Sequence, residues 1–165
     1  MSIALVLLVV VVAVNLLLTL ALVTRVRTLQ TMVIGGGPEP LPAPGTPVGT
    51  FAATTADGKL VTDTELRDPT LVGFFSPDCD WCEKARVALL ASPPAMPMLA
   101  FVRGNDNDEK ARALKSSLEG VARVAYTDGD DPAYRAFRPT GWPSLFLVKD
   151  GLIAAASHEL GEVVS

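Results

Sequence analysis

The two cysteines of the chain are the residues best suited to carry chemistry, and they lie together as a Cys79-x-x-Cys82 pair. An apolar run at residues 71–75 precedes the pair, and a helix-favouring run at residues 83–91 follows it. This order predicts a buried strand that turns into the N-terminus of a helix at the cysteines. Because backbone N–H groups and the positive end of a helix dipole favour a thiolate, the pattern indicates thiol chemistry.

The position of each cysteine suggests its role in disulfide exchange. Cys79 comes first, nearest the end of the strand and the solvent, so it is the expected attacking thiol. Cys82 lies one helical turn further in and would resolve the mixed disulfide. The helix dipole favours a thiolate on Cys79, whereas the carboxylates of Asp78, Asp80 and Glu83 oppose it. Since a less stabilised thiolate makes a dithiol a better reductant, we expect a reducing potential of about −270 mV.

Two alternatives for the cysteine pair stay open at this point. The pair could form a structural disulfide or remain as two unreactive core thiols. It could also bind a metal, with His158, the one histidine, as a further ligand. A closed zinc site needs four ligands, so we favour a surface position for His158 and predict no metal site.

Residues 3–23 form a long apolar segment without charge, interrupted only by Asn15 and Thr19. As a helix this segment would rise about 30 Å, the thickness of the hydrocarbon core of a bilayer. We therefore predict a transmembrane anchor over residues 1–27. A cleaved secretory signal would have a basic start, a shorter apolar run and a small-residue cleavage site. Arg25 and Arg27 follow the segment and favour a cytoplasmic location for the rest of the chain.

The remainder of the chain divides into a tether and one domain. Glycine and proline dominate residues 35–47, which predicts a flexible Pro/Gly-rich tether over residues 28–47. Residues 48–165 suffice for one domain with one core. All charged residues of the chain follow Thr24, with a formal net charge of −4, and the Lys and Arg residues form no dense patch. We therefore expect no nucleic-acid partner.

Strand and helix signals alternate along the predicted domain. Two short strands flank the Asp57-Gly58 turn, and a closing hairpin turns at Asp150-Gly151. Between them we predict strands over residues 71–75, 98–102 and 121–126 and helices over residues 83–91, 105–118 and 132–137. Alternating strands and helices indicate an α/β sandwich with a central, mostly parallel sheet.

From residue 48 onward the chain resembles a thioredoxin-fold protein, and three features carry the likeness. They are the Cys79-x-x-Cys82 pair between strand and helix, the Gly141-Trp142-Pro143 step before a strand, and the closing hairpin. With its anchor and tether, the chain is most similar to membrane-anchored thiol-disulfide reductases of the TlpA/ResA kind and their MauD-like relatives. The resemblance implies a thioredoxin-like sandwich with a central mixed sheet, preceded by one transmembrane helix.

The same resemblance implies how the site would work. It implies a cis Trp142–Pro143 bond against the cysteine pair, with substrate peptide pairing to the backbone of Trp142. Trp81 and Trp142 would then offer an apolar lip to extended protein substrates. The implied activity is disulfide reduction by dithiol-disulfide exchange, without a bound cofactor. Its partners are a protein disulfide, a second thiol-disulfide protein and the lipid bilayer.

Three expectations from the resemblance disagree with the sequence. The likeness favours an extracytoplasmic domain on a single-pass cell-membrane protein, whereas Arg25 and Arg27 favour a cytoplasmic one. Many relatives have Trp before the first cysteine and Pro before the second, where this chain has Asp78 and Trp81. Related reductases often carry a glutamate where this chain has Ala85. A membrane-tethered metal-delivery or protein-binding module of the same fold is therefore the alternative function.

Overall fold

The computed structural model describes residues 40–164 and, ahead of them, only Leu8, Ala13 and Asn15. Apart from those three residues, the predicted anchor at residues 1–27 and the tether up to residue 39 lie outside the described residues. Within the part of the chain that is described, no helix reaches the length and hydropathy needed to span a bilayer.

The domain is built on a five-stranded mixed sheet with the strand order β5-β4-β3-β6-β7. The central strand β3 is buried along its whole length, as its continuous apolar run predicts. It pairs in parallel with β4 and antiparallel with β6, so the mixed sheet of a thioredoxin-like fold is confirmed. The five strands are β3 (Thr70–Phe75), β4 (Met98–Arg103), β5 (Arg123–Thr127), β6 (Ser144–Lys149) and β7 (Leu152–Ser157).

Helices cover both faces of this sheet. Helices α1 (Asp80–Ala91), α2 (Glu109–Leu118) and α4 (Leu160–Val163) pack on one face through residues such as Leu89 and Leu118. Helix α3 (Pro132–Phe137) covers the other face, together with a separate hairpin of β1 (Ala52–Thr54) and β2 (Leu60–Thr62). The result is the predicted α/β sandwich, but β6 and β7 pair antiparallel, so two of the four pairings in this sheet are antiparallel and the prediction of a mostly parallel sheet is wrong.

The end of β3 is held on both faces, and this determines where the cysteines lie. Phe74 points to the α3 face, where its ring stacks on Phe101 with centroids 4.8 Å apart. Phe75 points to the opposite face and belongs to the same core cluster as Cys82. Because both rings are fully buried, the chain leaves the sheet at a well-determined point just before the cysteine pair.

Helix α2 begins later than the sequence predicts. Its N-cap is Asp108, whose carboxylate accepts hydrogen bonds from the backbone N–H groups of Lys110 and Ala111. The Asn105 side chain instead accepts from the N–H of Asn107 at 2.9 Å. This local turn competes with helix formation, so Asn105 begins a turn and does not cap the helix.

The last residues of the predicted tether belong to the folded domain. A compact unit begins at Pro40, ahead of the expected boundary at residue 48. The Gly45 N–H donates to the carbonyl of Ile153 at 2.8 Å, and the Ile153 N–H donates to the carbonyl of Thr46 at 2.9 Å. The Leu41 side chain packs against the core. These residues therefore extend the sheet beside β7, which proline and glycine content alone did not predict.

Candidate redox site

Cys79 lies at the N-terminus of α1, where the fold turns from the sheet into the helix. It is the N-cap residue, with extended backbone angles, and its Sγ accepts a hydrogen bond from the N–H of Cys82 at 3.1 Å. The side chain is partly exposed. A sulfur at this position receives both a helix N–H and the positive end of the dipole, which favour the reactive thiolate.

Cys82 lies one turn further along α1 and is almost completely buried, with 1% of its surface exposed. Its Sγ accepts a hydrogen bond from the Ser76 N–H at 3.4 Å. Burial raises the pKa of the Cys82 thiol far above its ordinary value, and the hydrogen bond with Cys79 acts in the same direction. Both cysteines are free thiols in this structure. The pair therefore combines an accessible sulfur with a protonated, shielded one.

The loop before β6 contacts the partly exposed sulfur of Cys79. The Trp142–Pro143 peptide bond is cis, so this prediction is confirmed. The Cys79 thiol donates a hydrogen bond to the Trp142 carbonyl at 3.2 Å. Within the loop, the Ser144 hydroxyl donates to the Gly141 carbonyl at 2.8 Å. The structure therefore brings Cys79, Cys82, Trp142 and Pro143 into one site.

His158 contacts the same loop, which the sequence did not indicate. It is an exposed residue, as predicted, but its ring nitrogen Nδ1 lies 2.6 Å from the Pro143 carbonyl. A carbonyl can only accept, so Nδ1 carries the hydrogen. The ring also lies against Gly141, where an added Cβ would be 3.2 Å from Cε1. Among residues 40–164 no three Cys, His, Asp or Glu side chains come together as a metal site requires.

The two tryptophans occupy different surroundings. Trp81 follows Cys79 on α1, 63% of its surface is exposed, and the Lys84 ammonium lies 4.1 Å from the ring centroid. Trp142 is half-buried and packs against the core clusters on both faces of the sheet. Its ring lies 6.1 Å from that of Tyr134. Trp81 therefore presents an exposed apolar surface next to the cysteines, whereas much of the Trp142 side chain is packed in the core and its backbone carbonyl faces Cys79.

Two of the three carboxylates expected to oppose a thiolate are neutralised by cations. Asp78 forms an ion pair with Lys110 at 2.6 Å, and Glu83 forms one with Arg86, whose Nε donates at 2.7 Å. The Arg86 guanidinium lowers the pKa of Glu83, and the Asp78 carboxylate raises the pKa of Lys110. Asp80 has no ion pair among the described residues. The structure thus weakens the charge repulsion on which the predicted potential rests.

Comparison with known proteins identifies the fold. No protein-family model and no curated protein sequence matches the chain. Solved structures do match, and together with the Cys-x-x-Cys pair they place the domain in the thioredoxin-fold class.

Three of these similar structures illustrate the likeness. The thioredoxin domain of a Bacteroides vulgatus thiol-disulfide oxidoreductase has 20% identity and a TM-score of 0.54, covering 70% of this chain and 89% of the other. A thiol:disulfide interchange protein from Bacteroides sp. has 19% identity and a TM-score of 0.57, covering 70% and 81%. A secreted Mycobacterium tuberculosis disulfide oxidoreductase has 18% identity and a TM-score of 0.52, covering 70% and 87%. At these identities the likeness establishes the fold alone.

Proposed function

We propose that this protein is a thiol-disulfide oxidoreductase that reduces disulfides in other proteins through Cys79 and Cys82. The observation that carries the proposal is the position of the Cys79 sulfur. It is partly exposed at a helix N-terminus, 3.2 Å from the Trp142 carbonyl, and the buried Cys82 lies one turn behind it. The similar structures are described as thiol-disulfide oxidoreductases and a thiol:disulfide interchange protein, which supports the proposal.

The proposed reaction has two exchange steps. The Cys79 thiolate attacks one sulfur of a substrate disulfide, and the other substrate sulfur leaves as a thiolate that takes up a proton. The Cys82 thiol then loses its proton and attacks Cys79 Sγ in the mixed disulfide. This releases the second substrate thiol and leaves a Cys79–Cys82 disulfide. The substrate gains two electrons and two protons, and the enzyme loses the same number, so no bound cofactor is needed.

The hydrogen bond between Cys79 and the Trp142 carbonyl links deprotonation of Cys79 to substrate binding. In the dithiol form the Cys79 thiol donates a hydrogen bond to the Trp142 carbonyl, so this carbonyl already has a partner. When Cys79 loses its proton, it can no longer donate, and the carbonyl becomes free to accept an N–H from an extended substrate. Substrate then pairs with the chain as a further strand next to the reacting sulfur. Exposed Trp81 provides apolar contact beside this strand.

We place the reaction in the reducing direction. Cys82 is held as a neutral thiol, and a carbonyl oxygen beside Cys79 does not stabilise a negative sulfur. This carbonyl accepts a hydrogen bond only from the thiol form of Cys79, which argues against the strongly stabilised thiolate of an oxidising site. Equilibration with glutathione should give a potential near −270 mV, and a value above about −180 mV would exclude the reductase direction.

We further propose that residues 1–27 anchor the domain in the cell membrane and that the domain lies on the extracytoplasmic side. The apolar segment at residues 3–23 supports the anchor. A single cysteine introduced into the tether in place of Gly36, in the Cys79→Ser, Cys82→Ser background, tests the side. We expect labelling of intact cells by a membrane-impermeant thiol reagent. Labelling only after lysis would place the domain in the cytoplasm.

Insulin reduction tests the activity itself. The soluble domain with dithiothreitol as reductant should accelerate insulin precipitation over dithiothreitol alone, and Cys79→Ser should remove this acceleration because it removes the nucleophile. If Cys79→Ser were as active as the unmodified domain, Cys79 would not be the attacking residue.

Trapping tests the order of the two cysteines. Cys82→Ser should accumulate a mixed disulfide between Cys79 and the natural substrate, because the resolving thiol is absent. Cys79→Ser is the matched control and should trap little, since Cys82 is buried. Equal trapping by both variants would contradict the assigned roles.

A further inference from the structure

A cleft of about 410 Å³ opens beside the cysteine pair, between α1 and α2. Cys79 and Cys82 both line it, and neither Trp142 nor Pro143 does. The sulfurs therefore border two different surfaces. One is the loop to which an extended peptide would pair, and the other is a separate cleft of a size typical of small-molecule sites.

The walls of the cleft carry charges of both signs. Arg86 comes from α1 and Lys110 from α2, and each is paired with a carboxylate of the motif region. Glu83, the partner of Arg86, also lines the cleft, and Asp78, the partner of Lys110, adjoins it. The Lys110 and Asp78 side chains are 71% and 69% exposed. Ion pairs this exposed contribute little free energy, so a ligand can exchange for either partner at low cost.

This arrangement selects a particular ligand charge. Two cations and two carboxylates at one opening give no net attraction for a purely anionic or purely cationic molecule. A zwitterion can place its carboxylate on Arg86 or Lys110 and its ammonium on Glu83 or Asp78, and so satisfy both signs at once. Pro77 and Leu114 supply the apolar part of the wall for a short aliphatic stem.

We propose that the cleft binds a low-molecular-weight disulfide with zwitterionic, amino-acid-type halves, such as cystine, and presents it to Cys79. The proposal rests on the proposed function, because it uses the same nucleophile. The Cys79 thiolate attacks one sulfur of the bound disulfide, and its S–S bond breaks to release one zwitterionic thiol. Cys82 then loses its proton and displaces the second. Two electrons and two protons pass to the small disulfide, and the protein ends with the Cys79–Cys82 disulfide.

The rates of reaction with four small disulfides, each measured separately, test the selectivity of the cleft. The reduced full chain is mixed with cystine, with dicationic cystamine, with dianionic 3,3′-dithiodipropionate or with neutral hydroxyethyl disulfide. Its oxidation is followed by acid quenching, alkylation and mass spectrometry. Each rate is divided by the rate at which dithiothreitol reduces the same compound, which removes differences in intrinsic reactivity. We expect the normalised rate for cystine to exceed the normalised rate for each of the other three disulfides by about fivefold or more.

Charge variants locate the selectivity in the cleft. Lys110→Gln and Arg86→Gln should each lower the ratio of the cystine rate to the hydroxyethyl disulfide rate by about fivefold. Lys115→Gln is the matched control. Lys115 lies on the same helix as Lys110 and is also ion-paired, with Glu119, but it does not line the cleft. Its substitution should leave the ratio unchanged.

The outcomes separate this inference from the proposed function. If the chain reduces insulin and hydroxyethyl disulfide without preferring cystine, the cleft proposal is overturned and the oxidoreductase function stands. An equal loss in Lys115→Gln would also overturn it, because the effect would then come from overall charge. If the chain reacts with none of the disulfides and does not reduce insulin, the proposed function fails as well.

Discussion

At the scale of single residues, the two cysteines differ more than their shared motif indicates. Cys79 is partly exposed, receives one backbone N–H and donates to a carbonyl. Cys82 is buried and its pKa is strongly raised. This difference supports the sequence-based order of attack and resolution. It also means that the resolving step requires Cys82 to lose a proton that its surroundings hold firmly, so this proton has a measurable effect on stability.

Because of that buried thiol, the stability of the reduced protein should fall at alkaline pH. The unfolded-state pKa of a cysteine is about 8.5, and the folded pKa of Cys82 lies far above it. The stabilisation is complete below pH 8.5 and declines as pH rises, since only the unfolded state releases the proton. We expect a loss of about 1 kcal/mol in the free energy of unfolding between pH 8 and pH 9.5.

Urea denaturation under reducing conditions measures this slope, and Cys82→Ser is the control. The variant keeps Cys79 and all other titrating groups, so its stability should change less over the same interval. An identical slope in the variant would show that Cys82 does not titrate differently in the folded and unfolded states.

At the scale of elements, the site is an intersection of three segments. The end of β3 and the start of α1 carry the cysteines, the loop before β6 carries Trp142 and Pro143, and the end of β7 leads to His158. Because β6 lies between β3 and β7 in the sheet, the loop before it has the cysteine on one side and the histidine on the other. The elements therefore hold the loop from both flanks.

His158 should act as a positioning residue for this loop. His158→Leu removes the donor to the Pro143 carbonyl, so the loop is less well held for pairing with substrate. We expect the KM for insulin to rise about fivefold, with kcat little changed. His158→Asn offers an amide N–H near the position of Nδ1 and should restore most of the loss. Steady-state kinetics of the three proteins provide the test. Equal KM values for the Leu and Asn variants would argue against the hydrogen bond.

Gly73 illustrates how tightly β3 is packed before the site. A Cβ at this position would lie 2.5 Å from the buried Phe75 ring and 3.1 Å from Leu145. Gly73→Ala should therefore destabilise the domain by about 1–3 kcal/mol through overpacking. Gly120→Ala is the matched control, because the space around Gly120 is open, and its effect should stay within about 0.5 kcal/mol. Thermal unfolding compares the two, and a similar melting temperature for both variants would contradict the packing argument.

At the scale of the whole molecule, the boundary of the domain affects how it can be studied. Residues 45–48 pair with the β7 edge and Leu41 adds to the core, so the folded unit takes in the end of the predicted tether. A domain joined to its leading segment in this way leaves less of the chain as a free spacer. The predicted tether therefore ends at residue 39 and not at residue 47.

A fragment that starts at residue 48 should be less stable than one that starts at Pro40. The shorter fragment loses the hydrogen bonds between Gly45 and Ile153 and between Ile153 and Thr46, and it exposes apolar surface that Leu41 covers. We expect a loss of about 2 kcal/mol in the free energy of unfolding. Equilibrium urea unfolding of the two fragments measures the difference. If their stabilities are the same, the leading segment adds nothing to the fold.

Local patterns in the sequence were sufficient to predict most of the elements and the position of the cysteine pair between a strand and a helix. The apolar run of β3, the helix that follows Cys79 and the turns at Asp57-Gly58 and Asp150-Gly151 are all signals between near neighbours in the chain. The start of α2 was misplaced because Asn105 and Asp108 are both good capping residues, and only the turn at Asn105 decides between them.

The sequence by itself determined a Cys-x-x-Cys pair on a strand-to-helix turn and a Gly-Trp-Pro step before a later strand. Only the tertiary structure decided what surrounds the sulfurs. Cys79 and Trp142 are 63 residues apart in the chain, Asp78 and Lys110 are 32 apart, and Pro143 and His158 are 15 apart. These contacts depend on the order and register of the strands and on how α1 and α2 pack across them. No local pattern determines that packing, because it results from burying the apolar faces of all the elements at once.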